Sequence, residues 1–355
     1  MIARWWERRR GSGEKSAGTS APTSVAVPVG GTVLVLGVLS VLLCLVSLAI
    51  GSHSLTLEEV AGAFVPGRTT VASVIVWQLR MPRTVLAVMV GASLAVAGVV
   101  MQGLTRNPLA EPGILGINAG ASLSVVLSMS LLGLTDVSDF LWFAFAGAAL
   151  AAFLVHLMSV RSADAGPARL VLAGVALGAS LRSITGTITM YDSVTFDSYR
   201  FWVLGSLADR DAVLLVWVAP FLVVGLVLAL ASGLTLNALA LGEEQAKALG
   251  VSPRRARALA LTSITLLCGA STAAVGPISF VGLVVPQVLR LALGADQRRL
   301  LAVSVVAGPV LLLAADVVGR VILDSGEMEA GVVTAFIGGP VLLLMVIQRM
   351  GVRGR

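Results

Sequence analysis

The stretch from Gln78 to Gly120 decides the fold, and it reads QLRMPRTVLAVMVGASLAVAGVVMQGLTRNPLAEPGILGINAG. Arg80 and Arg83 bracket Pro82 at its start, and an apolar run long enough to cross a bilayer follows. The run closes on Asn-Pro-Leu-Ala-Glu-Pro-Gly, which breaks a helix before a second apolar run begins. A spanning helix that opens on two arginines and closes on a helix-breaking turn predicts part of a pathway through the membrane.

The composition excludes a soluble domain of this length. Of the 355 residues, 57% are hydrophobic and only 12% are charged, and the mean hydropathy is +0.96. A soluble domain needs a more charged surface. Many separate apolar runs reach the roughly 20 residues that a helix needs to cross a bilayer. We therefore predict an all-α polytopic membrane protein.

The apolar runs predict ten membrane spans, of which the third and eighth are interrupted by Pro112, Gly113, Pro277 and Pro286. A broken or short helix is expected at these two places. The ten predicted spans cover residues 29–50, 84–104, 113–133, 140–160, 169–190, 212–232, 256–275, 278–294, 300–322 and 331–349.

The chain divides into an N-terminal tail (1–28), one transmembrane domain (29–350) and a short C-terminal tail (351–355). The first apolar run is too long for the core of a signal peptide, so we expect it to be a retained span. Ten spans place both termini on one side of the membrane. If that side is the cytoplasm, most of the 25 lysines and arginines lie inside, which supports an N-in, C-in orientation.

Three arginines on the predicted outer side run against this charge bias: Arg80, Arg83 and Arg320. One interpretation is anchoring at the membrane interface, with Arg320 paired to Asp316 four residues earlier. The other is a docking face for an acidic partner, because the planar guanidinium binds carboxylates through two hydrogen bonds. The residues alone leave both interpretations open.

The largest predicted inner loop, at about 233–255, contains a short helix bounded by Gly242 and Gly250. This segment is either an amphipathic turn that rests on the membrane or a rigid lever that fits a cleft on a cytoplasmic motor subunit. The residues assigned to the lever are Gly242, Glu243, Glu244, Gln245, Lys247, Leu249 and Gly250.

Asn107, Pro108 and Leu109 follow the second span at its inner end. Pro108 removes a backbone donor, and Asn107 can satisfy a freed carbonyl or line a constriction. A plain helix break with a capping asparagine and a cytoplasmic gate are therefore equally open.

The sequence offers few groups for catalysis or metal binding. The two histidines, His53 and His156, are far apart, and no Cys/His cluster has metal-ligand spacing. GSGEKS at 11–16 lacks the residue order of a phosphate-binding loop. We therefore predict no enzyme, no metal site and no cofactor on this chain. Sparse intramembrane acids argue against an ion-coupled secondary transporter, and the absence of a clustered nucleophile argues against a lipid-modifying enzyme.

Several long segments in the same order resemble the FecCD-type permease family of ABC importers, which includes ferric-siderophore and vitamin B12 permeases. The resemblance covers about residues 30 to 350 and is strong with the ferric-enterobactin type. The matching segments are QLRMPR at 78–83, MQGLTRNPLAEPGILGINAGAS at 101–122, RLVLAGVALG at 169–178, RFWVLGSL at 200–207, LALGEEQAKALGV at 239–251, VGPISFVGLVVPQVLRLALGADQRR at 275–299, LLLAADVVGRVI at 311–322 and GVVTAFIGGPV at 331–341.

The resemblance implies a type II ABC importer permease in the bacterial cytoplasmic membrane, working as a homodimer or heterodimer. Two cytoplasmic ATPase subunits would carry ATP and Mg²⁺, and an extracytoplasmic substrate-binding protein would dock outside. The implied substrate is a ferric siderophore, with haem or cobalamin as alternatives. The positions that meet glutamates of the binding protein would be Arg80, Arg83 and Arg320. The coupling segment would be 242–250 and the inner gate 107–109.

The resemblance also implies a central path, to which Asn118, Ser122 and Arg182 are assigned. Arg182 is the one charge expected to reach this path, unless it hydrogen-bonds a nearby carbonyl. The chain departs from the family where Gln287 replaces a common histidine. It also departs at Glu327-Met-Glu-Ala-Gly, where Glu329 adds an anion close to the expected docking face.

Overall fold

The computed structural model describes residues 28–51, 55–65, 70–160, 167–323 and 326–353. All regular structure within these ranges is helical. Seven described helices are long and apolar enough to cross a membrane, and three shorter apolar helices raise the number to ten. The prediction of an all-α protein with about ten spans is therefore confirmed.

In chain order the helices are α1 (Val29–Ala49), α2 (Leu57–Gly62), α3 (Val71–Val74), α4 (Met81–Thr105), α5 (Ile117–Leu132), α6 (Val137–Val160), α7 (Pro167–Tyr191), α8 (Ser193–Val203), α9 (Ala212–Ala231), α10 (Gly233–Leu241), α11 (Glu243–Ala248), α12 (Pro253–Val275), α13 (Val281–Leu293), α14 (Gln297–Val321) and α15 (Ala330–Arg353).

The second span begins thirteen residues before the predicted start at 84, because α3 continues into α4 through a π-helical turn at Ile75–Arg80. Pro82 cannot donate the usual backbone hydrogen bond to the preceding turn, and its ring crowds that turn. A wider turn accommodates the ring without ending the helix. The predicted start of this span at residue 84 was therefore wrong.

The third span is broken, as its proline and glycine predict. After α4 the chain is non-helical until a 3₁₀ turn at Pro112–Leu115. Gly116 then adopts a left-handed conformation (φ 78°), which glycine tolerates without steric cost, and α5 begins at the next residue.

α4 is the central helix, and glycines set how closely its neighbours approach. A Cβ built on Gly98 would lie 1.9 Å from the carbonyl oxygen of Gly282 on α13. A Cβ on Gly91 would lie 2.8 Å from the carbonyl oxygen of Gly308 on α14. Within a bilayer the hydrophobic effect does not drive helices together, because lipid tails are as apolar as the side chains. Close packing of backbones at small residues stabilises the helix contacts instead.

α4 and α14 run antiparallel along each other. The side chain of Gln297 lies near Gly103, whereas Asp316 contacts Arg83 at the opposite end. The twenty residues from Arg83 to Gly103 span about 30 Å of helix, which is the thickness of a hydrocarbon core. We call the two ends of this helix pair the Arg83 end and the Glu243 end, since α10 leads from beside Gly103 directly to Glu243.

Candidate functional site

A buried ion network occupies the Arg83 end. Arg83 donates from Nε (3.0 Å) and Nη2 (2.8 Å) to Asp316 Oδ1, and from Nη1 (2.6 Å) to Glu327 Oε2. The side chain of Asp316 is 1% exposed, that of Arg83 14% and that of Glu327 30%. All three nitrogens of the Arg83 guanidinium therefore donate hydrogen bonds. Of its two acceptor residues, Glu327 is the more accessible to solvent.

Arg320, on α14, is the other arginine that binds Asp316. It forms an ion pair with Asp316 four residues earlier, as one of the two sequence interpretations predicts. It also donates to the carbonyl oxygens of Ser47 (2.7 Å) and Ile50 (3.1 Å) at the end of α1. One carboxylate, Asp316, thus neutralises two arginines from different helices.

Arg80 also binds the end of α1, donating to the carbonyl oxygens of Leu48 and Ala49 at 2.7 Å each. Carbonyls at a helix C-terminus lack helical partners and favour cations. Arg80 and Arg320 are each only 6% exposed. These two guanidinium groups therefore hold helices together in this structure, and a docking role for Arg80 and Arg320 stays a prediction.

A cavity of about 460 Å³ opens above the network. Besides the three arginines and Glu327, its lining includes Asp209, Arg210 and Asp211, which the sequence analysis did not single out. Burial lowers the pKa of the Arg210 guanidinium, while the nearby carboxylates of Glu329 and Asp209 oppose this shift. The sequence did offer a signal for these three charged residues, because they follow closely after the family segment RFWVLGSL at 200–207.

The segment from Gly242 to Gly250 lies at the Glu243 end and has the predicted boundaries; we call it the lever after its predicted role. Gly242 adopts φ 124° and ψ 158°, and Gly250 adopts φ 78°. Both conformations favour glycine, so each end of α11 is a sharp turn that other residues would strain. Glu243 forms an ion pair with Arg257 on α12.

A small apolar cluster, separate from the main core, holds α11 in place. Ala246 is fully buried and packs with Ala238, Leu239 and Ala256. Four of the residues that the sequence analysis assigned to the lever are exposed to solvent: Glu244, Gln245, Lys247 and Leu249. This part of the lever forms a protruding surface.

Asn237 connects the lever to α14. Its amide donates to Asp296 Oδ1 (2.9 Å) and its carbonyl oxygen accepts from the backbone N–H of Gln297 (2.9 Å). The hydrogen bond from Asn237 is the main cause that lowers the pKa of Asp296, which caps α14. The chain just before the lever is thus attached to the helix whose other end carries Asp316 and Arg320.

The predicted gate residues form a local turn. The Asn107 side-chain oxygen accepts from the backbone N–H of Leu109 (3.0 Å), which closes the turn after α4. Gln287 of α13 donates to the carbonyl oxygen of Pro108. Glu111 accepts from the backbone N–H of Phe280 (2.6 Å). This turn is therefore attached to α13 at two points, and its gate role stays a prediction.

The three predicted path residues do not share one surface. Asn118 accepts a hydrogen bond from Thr272 of α12 (3.0 Å) inside the bundle. Ser122 is buried, and its path-lining role stays a prediction. Arg182 lies on an exposed face of α7, beside Gly178. Among the described residues there is no group of three potential metal ligands, and His53 lies outside the described ranges.

Comparison with known proteins agrees with this architecture. The chain matches the FecCD transport family over residues 38–348. It is 43% identical over 336 residues to the ferric enterobactin transport system permease protein FepD of Escherichia coli (strain K12), covering 94% of this chain and 98% of that protein. It is 42% identical over 285 residues to the vitamin B12 import system permease protein BtuC of Yersinia pseudotuberculosis, covering 78% and 83% respectively.

A solved metal-chelate type ABC transporter in an inward-facing conformation has the same fold. The TM-score is 0.79 at 28% sequence identity, over 90% of this chain and 99% of that one. Ten apolar helices, a family match over most of the length and relatives above 40% identity together lead to one conclusion. The chain is a multi-pass membrane protein that belongs to the FecCD transport family.

Proposed function

We propose that the chain is the permease subunit of an ABC importer that moves a ferric siderophore across the bacterial cytoplasmic membrane. The observation that carries the proposal is the placement of the arginine network and the glycine-bounded lever at opposite ends of the α4–α14 pair. Capture outside and ATP hydrolysis inside need these opposite positions. The similarity to an enterobactin permease supports a ferric chelate as the substrate.

Docking of the binding protein involves Arg83 directly. Asp316 is buried and fixed by two arginines, whereas Glu327 is partly exposed and holds only one guanidinium nitrogen of Arg83. A glutamate of the binding protein takes the place of Glu327 on Arg83, since one carboxylate replaces another at the same donor. Arg80 and Arg320 support this exchange by holding α1 and Asp316 in place.

Coupling to the ATPase runs through the lever. Its exposed face fits a cleft on the ATPase subunit, and closure of the two ATPase subunits moves α11 together with α10. The contacts of Asn237 with Asp296 and Gln297 pass this motion to α14. A long helix that is packed at both ends is suited to such a rigid displacement. ATP and Mg²⁺ bind to the ATPase subunits, not to this chain.

The transport path lies between two permease subunits, identical or different. The exposed Arg182 on α7 is the cation best placed to meet an anionic chelate there. The turn at Asn107–Leu109 closes the inner end, and its two attachments to α13 make it move with that helix. Asn118 accepts a hydrogen bond from Thr272 and so fixes α5 against α12 at the wall of this path.

The test is uptake by liposomes that contain the reconstituted importer, its ATPase subunits and its binding protein. With labelled ferric enterobactin as the probe, we expect uptake that requires ATP and continues in the presence of a protonophore. An ATPase variant that binds but cannot hydrolyse ATP is the control. Uptake that ignores ATP and collapses with a protonophore would identify an ion-coupled carrier instead. ATP-dependent uptake of cobalamin or haem but not of ferric enterobactin would retain the importer and change its substrate.

A further inference from the structure

We propose that the groove between α6 and α12 is a binding site for one anionic phospholipid of the inner leaflet. The groove has a volume of about 320 Å³. The residues that line it are Phe145, Ala149, Ala152, Phe153, His156, Ala258, Leu261, Thr262, Thr265 and Leu266. None of these residues takes part in the docking network, the lever or the gate turn.

The depth of the groove matches one half of a bilayer. α6 and α12 run antiparallel, because Phe145 lies beside Gly269 and His156 shares the groove with Ala258. The eleven residues from Phe145 to His156, the outermost lining residues on α6, span about 16 Å of helix. Half of a hydrocarbon core measures about 15 Å, so the groove accommodates the acyl chain of a single leaflet.

Aromatic rings close the deep end of the groove. Phe145 packs against Phe221 of α9, with ring centroids 4.6 Å apart. The walls nearer the mouth are mostly apolar, with His156 and Thr262 as their polar members, and the Phe153 side chain is more than half exposed. These features suit an acyl chain but do not select among lipids, since any bilayer lipid could cover an apolar wall.

Two arginines at the mouth supply the selectivity for an anionic headgroup. Arg254 and Arg255 lie four and three residues before Ala258, which is about one turn of α12. At about 100° per residue, their side chains leave the helix on either side of the direction in which Ala258 faces the groove. Both are exposed, and within the described part of the chain neither has an ion-pair partner. Arg257, which points away from the groove, is neutralised by Glu243. Basic pockets between helices at the cytoplasmic side are typical sites for anionic headgroups.

The experiment is native mass spectrometry of the complex of this permease with its ATPase subunits, after exchange into phosphatidylglycerol or phosphatidylethanolamine of identical acyl chains. We expect the complex to retain phosphatidylglycerol at collision energies that remove phosphatidylethanolamine. The double variant R254A/R255A should bind phosphatidylglycerol about 30-fold more weakly, the factor that two cations at about 1 kcal/mol each produce. Thr262→Trp, which fills the exposed groove, should remove retention while the complex stays assembled.

The matched control is R298A/R299A, which removes two exposed arginines at the same end of the bundle but away from the groove. It should leave lipid retention unchanged. Equal retention of both lipids, or retention that is insensitive to R254A/R255A, would mean bulk annular lipid only and would overturn the site. Retention that appears only after the ATPase subunits are removed would assign the two arginines to that interface and would also overturn it. None of these outcomes depends on which chelate the importer carries.

Discussion

The two polar ends of the bundle hold their charges in opposite ways. At the Arg83 end, arginines from two helices are buried against Asp316 and against the last carbonyls of α1. At the Glu243 end, charged side chains project outward from a short helix that one buried alanine and two glycine turns hold in place. The first arrangement is a rigid set of buried ion pairs with one partly exposed acid, Glu327. The second is a protruding lever attached to a long helix.

This difference predicts different responses to substitution. Changes in the Arg83 network should reduce the stability of the whole protein, because buried charges are left without partners. Changes in the lever should leave stability nearly intact and reduce transport per ATP hydrolysed.

The largest effect is expected for Asp316→Asn. It removes the carboxylate that neutralises Arg83 and Arg320, and breaking a buried pair costs about 3–5 kcal/mol. The measurement is thermal unfolding of the purified protein in detergent. The control is Asp197→Asn, whose ion pair with Arg200 is exposed and is worth about 0–1 kcal/mol. Equal melting temperatures for the two variants would contradict a buried network.

Gly98→Ala tests the helix contact that joins the two ends. Because a Cβ there would lie 1.9 Å from the backbone of Gly282, α4 and α13 must separate, at a cost of about 1–3 kcal/mol. The control is Gly186→Ala, since nothing lies within 4 Å of a Cβ at Gly186. A melting temperature of Gly98→Ala at or above that of the control would show that this contact is not close.

Gly242→Ala tests the lever. Its backbone conformation is nearly restricted to glycine, so alanine introduces about 1–3 kcal/mol of strain. Because α11 packs on a small cluster separate from the main core, tilting of α11 should relieve that strain without unfolding the bundle. We expect a normal melting temperature but a lower ratio of chelate imported to ATP hydrolysed. Gly62→Ala, in an ordinary helical conformation at the other end of the bundle, should leave this ratio unchanged. An unaltered ratio for Gly242→Ala would remove the lever from the coupling mechanism.

The smallest effect is expected for Glu327→Gln. In this variant the carboxylate of Glu327 no longer competes with the binding protein for Arg83. Binding of the substrate-binding protein should therefore strengthen about two- to fivefold, which corresponds to the free energy of a partly exposed ion pair. Binding is measured on the permease in nanodiscs. The control is Glu244→Gln, which removes an exposed acid at the opposite end of the bundle. Weaker binding by Glu327→Gln would mean that Glu327 itself contacts the partner.

Much of the fold was predictable because lipid imposes simple rules. Apolar runs of sufficient length located the ten apolar helices of the described residues, and Pro112 with Gly113 marked the break in the third span. The start of the second span could not be predicted, because Pro82 ends many helices and only the π turn before it lets the helix continue. Gly120 and Gly174 also approach a neighbouring backbone closely, as small residues commonly do in membrane helix bundles.

The site was predictable in position but not in detail. The charge bias identified Arg80, Arg83 and Arg320, and one of the two interpretations included the Asp316 pair. Sequence spacing could not show that the end of α1, over 30 residues from Arg80 and about 270 from Arg320, supplies carbonyls to both. The role of Asn237 also depends on a contact between distant segments.

The most direct test of the central claim is side-specific labelling of single cysteines. In a background without Cys44 and Cys268, Glu327→Cys and Glu244→Cys place one thiol at each end of the bundle, both at exposed positions. In intact cells, a membrane-impermeant maleimide should label Glu327→Cys, whereas Glu244→Cys should react only after permeabilisation. Labelling of both thiols from the same side of the membrane would contradict a permease with docking at one end and ATP-driven coupling at the other.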